Sequence, residues 1–234
     1  WVERADALRA HVEQSRFRDA TDPPALLAMH ARMRAKLVGY LKGLPQTLRR
    51  YPESDRTLPA RYARAVAYHR ARQSKKAITI VDALIEERPG DPYFHELKGQ
   101  ILLESSRVEE AIPAYARAVE LDGDNALLRI GLGQAQVSLE GGRHVGPAIE
   151  NLKIATQLEP RNPSAWRWLA MAYGRDEQLA LAALATSERY VLLRRYSDAK
   201  RQASRALKGL AKSSPAYLRA LDLERDAQRG IEKA

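Results

Sequence analysis

Three sets of small or turn-forming residues recur along this chain with one period, and that recurrence constrains the fold more than any other feature. Ala77, Ala111 and Ala148 are separated by 34 and 37 residues. Gly99, Gly133 and Ala170 repeat the same two steps, and so do Pro89, Gly123 and Pro160. Three independent markers therefore share a 34-residue frame, with three residues inserted around Gly141-Gly142-Arg143-His144. A period of this length implies stacked supersecondary units, each too poor in apolar surface to stand alone.

Within each unit the spacing is helical. Ala111, Tyr115 and Ala118, and again Ala148, Leu152 and Ala155, place small and apolar side chains on one face at 4- and 3-residue intervals. Asp91-Pro92, Asn162-Pro163 and Ser214-Pro215 each pair an N-cap side chain with proline at the first helical position. Pro89 and Pro160 close their units because proline cannot continue a helix, while Gly123 offers a left-handed turn instead. Hairpins are predicted over 58–88, 92–122 and 125–159, followed by a helix near 163–174.

A 34-residue helix–turn–helix unit resembles the tetratricopeptide repeat (TPR). In that motif Gly99, Gly133 and Ala170 lie where the first helix of a unit, helix A, is crossed closely by helix B, and Trp166 takes a core position. The expected fold is all-α: a TPR-type α-solenoid of antiparallel helix hairpins with extra N-terminal and C-terminal helices. Its array covers 58–234, in units of about 58–91, 92–125, 126–162 and an irregular 163–234. In the last of these Ala199 lies 51 residues after Ala148, one and a half periods, and helices are expected at 177–193, 196–211 and 215–230. Residues 1–57 are read as an N-terminal helical cap or a seam to a further domain. Helices are expected there over 2–16 and 24–42, before a stretch broken by Pro45, Pro52 and Pro59.

Charge is unevenly distributed around a net of +10. Residues 31–76 hold thirteen Lys/Arg against Glu53 and Asp55, residues 82–124 hold eleven acids against four bases, and residues 189–212 return to a net of +7. Such blocks govern encounter and orientation rather than fold. No apolar run approaches the ~18 residues of a membrane-spanning helix. There is no cysteine, hence no disulfide and no thiolate ligand or nucleophile.

Catalytic patterns are missing. His95-Glu96 begins like the zinc-protease H-E-x-x-H, but Gly99 stands where the second histidine is required. The five histidines include no pair four residues apart, and neither a G-x-S-x-G nor a P-loop pattern occurs. No cofactor is expected in this chain. Nucleic acid is disfavoured as a partner because Tyr68, one of the tyrosines in the basic stretch, is needed in the core. The expected ligand is a protein or peptide lying along the helix A faces: Tyr62, Val66 and His69, then Tyr93, Glu96 and Gln100, then Leu127, Ile130 and Gln134, then Arg167 and Met171.

Longer stretches carry a second resemblance. HARMRAKLVGYL at 30–41, RYARAVAYHRA at 61–71, PGDPYFHELKGQILLESSR at 89–107, AWRWLAMAYGR at 165–175 and SPAYLRALDL at 214–223 are similar to the C-terminal TPR region of bacterial periplasmic zinc metalloproteases. These enzymes belong to the HtpX-like, CAAX-prenyl-endopeptidase superfamily. A start at Trp1 suggests a mature product or an excised fragment, and the resemblance implies the fragment: a tail that recruits substrates or envelope partners in protein quality control. It further implies a periplasmic location, and a catalytic domain elsewhere that holds the zinc and is itself a partner. No catalytic residue of that family matches a position here. The alternative is a free-standing TPR adaptor that binds an acidic protein or an anionic surface through its basic faces.

Overall fold

A computed structural model describes residues 2–18 and 20–233. Among the described residues there are thirteen α-helices and no strands. None of the helices is long and apolar enough to cross a membrane. The chain divides into two compact units, residues 1–71 and 72–234.

The first unit contains α1 (Val2–Glu13), α2 (Pro24–Leu41), α3 (Leu44–Arg50) and α4 (Leu58–Arg70). The helix α3 departs from expectation. Pro45 sits in its first turn, where a missing N–H costs nothing, so it starts a helix instead of breaking one. The crossing of α2 over α4 is built on small residues. A Cβ on Gly39 would lie 2.5 Å from the carbonyl oxygen of Ala63 and 2.9 Å from the Cβ of Val66. Arg64, counted above among the basic residues, is buried and spent internally, its Nη1 donating to the carbonyls of Tyr51, Pro52 and Asp55. These contacts place α4 with the N-terminal helices, so that the unit boundary follows Ala71.

The second unit contains α5 (Ser74–Glu87), α6 (Pro92–Glu104), α7 (Val108–Leu121), α8 (Ala126–Ser138), α9 (Val145–Leu158), α10 (Pro163–Arg175), α11 (Leu179–Leu192), α12 (Tyr196–Gly209) and α13 (Pro215–Glu232). The side chains of Asp91, Asn125, Asn162 and Ser214 each accept a backbone N–H at a helix start. The markers fall into equivalent environments. Ala77, Ala111 and Ala148 are fully buried. A Cβ on Gly99 would lie 2.7 Å from the ring of Tyr115 on α7, and one on Gly133 would lie 2.5 Å from Leu152 on α9. Tyr115 and Leu152 are themselves 37 residues apart, so the two A/B crossings are one motif repeated.

The half-period has a structural cause. Ser106, Glu177 and Arg194 all adopt positive φ, and the residue after each donates back to the carbonyl five residues earlier. This left-handed closure ends helix A and leads into helix B. It occurs after α10 and again after α11. Thus α11 follows α10 as a B helix, contributing Ala185 to the cluster of Val137, Ala148, Leu152 and Leu169, and then serves as the A helix for α12. The inserted Gly141 and Gly142 both take positive φ, forming the widened turn between α8 and α9.

Candidate peptide-docking site

Helices α6, α8 and α10 occupy the A position of successive hairpins, and α8 packs beside both of the others. The period carries exposed positions from one to the next. Tyr93 corresponds to Leu127, Glu96 to Ile130 and Arg167, and Gln100 to Gln134 and Met171, by steps of 34 and 37 residues. On α6 the spacing of Tyr93, Glu96 and Gln100 places all three on one face, and all three are partly exposed. Leu127 is 60% exposed and Met171 40%, so the neighbouring faces present large apolar groups to solvent. Gln134 is partly exposed and Arg167 exposed. Ile130 is not available: it is buried with Ala126, Ala155 and Ala165 against Trp168.

Charge changes sign along this face. At α6 it carries Glu96 and Glu104, the latter accepting a hydrogen bond from Gln100 Nε2 at 2.8 Å. At α10 it carries Arg167 and Arg175, whose Nη1 donates to the carbonyl of Leu139 at 2.9 Å. The Arg167 guanidinium lies over the ring of Trp168, 5.2 Å from its centroid, which limits the arginine's freedom before any ligand arrives. Burial, reinforced by Glu96 and Glu104, holds the Tyr115 phenol well above its usual range, so it stays neutral beneath the face.

The three expected groove residues of α4, Tyr62, Val66 and His69, do not belong to it either. Tyr62 and His69 are 1% and 8% exposed. They share an α4 face with Val66, and α2 lies across that face at Gly39, so no ligand can reach them. Trp166 is partly buried against the cluster around Leu152 and Leu169. Sequence reasoning overlooked Trp168, which packs against two clusters at once while supporting Arg167. The Trp166-Arg167-Trp168 run was the available signal, but a run of sequence does not say which ring supports the arginine. Among the described residues no three His, Cys, Asp or Glu side chains converge on a metal-sized space.

The family profile described as "Tetratricopeptide repeat" matches residues 62–126 and 96–146. The beta-barrel assembly-enhancing protease of Yersinia pestis is 30% identical over 130 residues, which are 54% of this chain and 26% of that protein. Tetratricopeptide repeat protein 33 of Mus musculus is 31% identical over 93 residues, 40% of this chain and 34% of that protein. The chain thus spans about a quarter to a third of the curated relatives it matches. Among solved structures, MamA (residue 41 to the end) from Desulfovibrio magneticus RS-1 superimposes with a TM-score of 0.59 at 20% identity, covering 71% of this chain and 95% of that one. A second MamA structure, MSR-1, gives 0.57 at 18% identity over 72% of this chain and 95% of its own. The chain carries tetratricopeptide repeats, folds as a TPR-like solenoid, and is suited to protein–protein interaction.

Proposed function

We propose that this chain is a non-catalytic docking domain, the recruiting tail of a periplasmic zinc metalloprotease that acts in envelope protein quality control. The observation that carries the protease assignment is the 30% identity over 130 residues to the beta-barrel assembly-enhancing protease. The zinc belongs to the parent's catalytic domain, which is also a docking partner, together with envelope proteins. The ligand is an extended or helical protein segment lying across α6, α8 and α10. Leu127 and Met171 supply apolar contacts, Gln100 and Gln134 supply amides, and the change from Glu96 to Arg167 sets direction. A segment basic at its α6 end and acidic at its α10 end fits best.

Two tests separate the parts of this reading. Envelope extracts passed over the immobilised chain should yield partners that Tyr93→Ala and Arg167→Glu fail to hold while keeping the wild-type circular dichroism spectrum. Full retention by the folded variants would remove the docking face. Reading the gene around the Trp1 codon for an H-E-x-x-H helix tests the protease parent, and its absence would remove that assignment alone.

A second reading is favoured by one observation. Arg205 and Lys208 lie exposed on one face of α12 beside Lys200 and Arg201, and neither has an ion-pair partner among the described residues. That face suits an adaptor for an acidic protein or anionic surface. Partner binding that collapses when salt shortens the screening length would support it, and salt-insensitive binding would exclude it.

A further inference from the structure

One face of α2 is left uncovered in a form that specifies what would cover it. Leu26, Met29, Met33, Leu37 and Tyr40 are between 49% and 58% exposed. They recur at intervals of 3, 4, 4 and 3 residues, opposite the buried Ala35 and Gly39 that meet α4. At about 100° per residue these five side chains fill an arc of about 80°. That is the width of a seam between two helices; a helix lying in a bilayer presents a broader apolar face. His30 and Arg34 interrupt its far edge and set Leu27 and Leu41 apart from the stripe.

The charges carried by α2 and α3, and the two placed beside the stripe, have a single sign. From Pro23 to Pro52 the sequence contains six Lys/Arg and no acid. Arg34 is exposed beside the stripe, and the Arg70 guanidinium caps its end, 4.5 Å from the centroid of the Tyr40 ring. Two copies of α2 meeting face to face would set this basic rim against itself, a juxtaposition that costs affinity. We propose that the outer face of α2 is a docking site for an amphipathic helix whose apolar stripe is rimmed by aspartate and glutamate. The two exposed methionines adapt to the shape of the incoming side chains, and the positive rim selects the partner's charge.

The test uses the whole chain and two synthetic helical peptides. Both carry the same leucine stripe at 3- and 4-residue spacing, one rimmed with Glu and the other with Lys. The Glu-rimmed peptide should bind at least ~10-fold more tightly than the Lys-rimmed one. That binding should fall ~10-fold or more in Met33→Glu and measurably in the uncharged Leu37→Ser, with both variants retaining wild-type circular dichroism. Equal binding of the two peptides, binding of neither, or binding unchanged in both variants would overturn the proposal. So would stripe-dependent sedimentation with phosphatidylglycerol vesicles, which assigns the face to lipid, or stripe-dependent self-association of the chain.

Discussion

The indole Nε1 of Trp166 donates to the backbone carbonyl of Pro160 at 2.8 Å, tying the first turn of α10 to the residue that closes the preceding hairpin. The same position in the earlier units uses different chemistry for the same bond. His95 Nε2 lies 2.9 Å from the carbonyl of Pro89, which requires that nitrogen to carry the proton, and Arg129 Nε donates to the carbonyl of Gly123 at 2.6 Å. Each donor stands six residues after its acceptor. An imidazole, a guanidinium and an indole thus each satisfy a carbonyl orphaned at a helix end. Trp166→Phe keeps most of the ring and removes the donor, so it should lower unfolding stability in urea by about 1 kcal/mol. An unchanged midpoint would show that the bond contributes nothing net.

Gly99 and Gly133 should not tolerate even one methyl group. Ala at either position would place its Cβ 2.7 Å from the Tyr115 ring or 2.5 Å from Leu152, and overpacking of this kind costs about 1–3 kcal/mol. Gly174, also helical, has nothing within 4 Å of its would-be Cβ. Gly174→Ala should therefore stabilise by about 0.5–1 kcal/mol through helix propensity alone. Thermal melts of the three variants check the contrast in sign.

Glu188 on α11 is 8% exposed and receives Arg219 of α13 bidentately, Nε to Oε1 at 2.6 Å and Nη2 to Oε2 at 2.8 Å. Removing the arginine strands a shielded carboxylate. Arg219→Met should cost about 1–2 kcal/mol, the lower end reflecting a guanidinium that is half exposed. Adding Glu188→Gln should recover part of the loss. A double-mutant cycle measured by chemical denaturation would show additive losses if the pair were not coupled.

Alkaline pH should weaken the fold through Tyr115. Its phenol titrates well above the ordinary tyrosine range because burial, and then Glu96 and Glu104, oppose the anion. The folded chain keeps a proton that the unfolded chain releases near pH ~10. The contribution is complete below that pH and is lost as pH rises towards the folded-state value. In that window wild type should lose up to about 1.4 kcal/mol per pH unit more than Tyr115→Phe. Parallel stability–pH curves for the two proteins would contradict this assignment.

The repeat was legible because each marker is decided locally or by contact with its nearest partner helix. A glycine under Tyr115 and a proline after an N-cap aspartate write their geometry into residue choice. On α6 and α10 the period alone relates Gln100 to Met171, and both are open to solvent to some degree. The first helix of the expected array misled because its covering helix, α2, comes from outside the repeat. The 34-residue step gives Tyr62 and Val66 the same rank as Glu96 and Gln100, and no periodic signal announces that Gly39 lets another backbone settle over Val66. The dual use of α11 was visible only as a displaced alanine, because a left-handed turn at Glu177 or Arg194 leaves no glycine in the sequence to mark it.

What the sequence determined by itself was the helical period, the caps and the close A/B crossings, because those depend on backbone conformation and side-chain size within one repeat. Tertiary structure decided which of the equivalent faces stay open. Exposure depends on whether a helix distant in the chain finds a complementary surface: α2 finds one on α4, burying Tyr62, while its own outer stripe, Leu26 to Tyr40, remains unpaired.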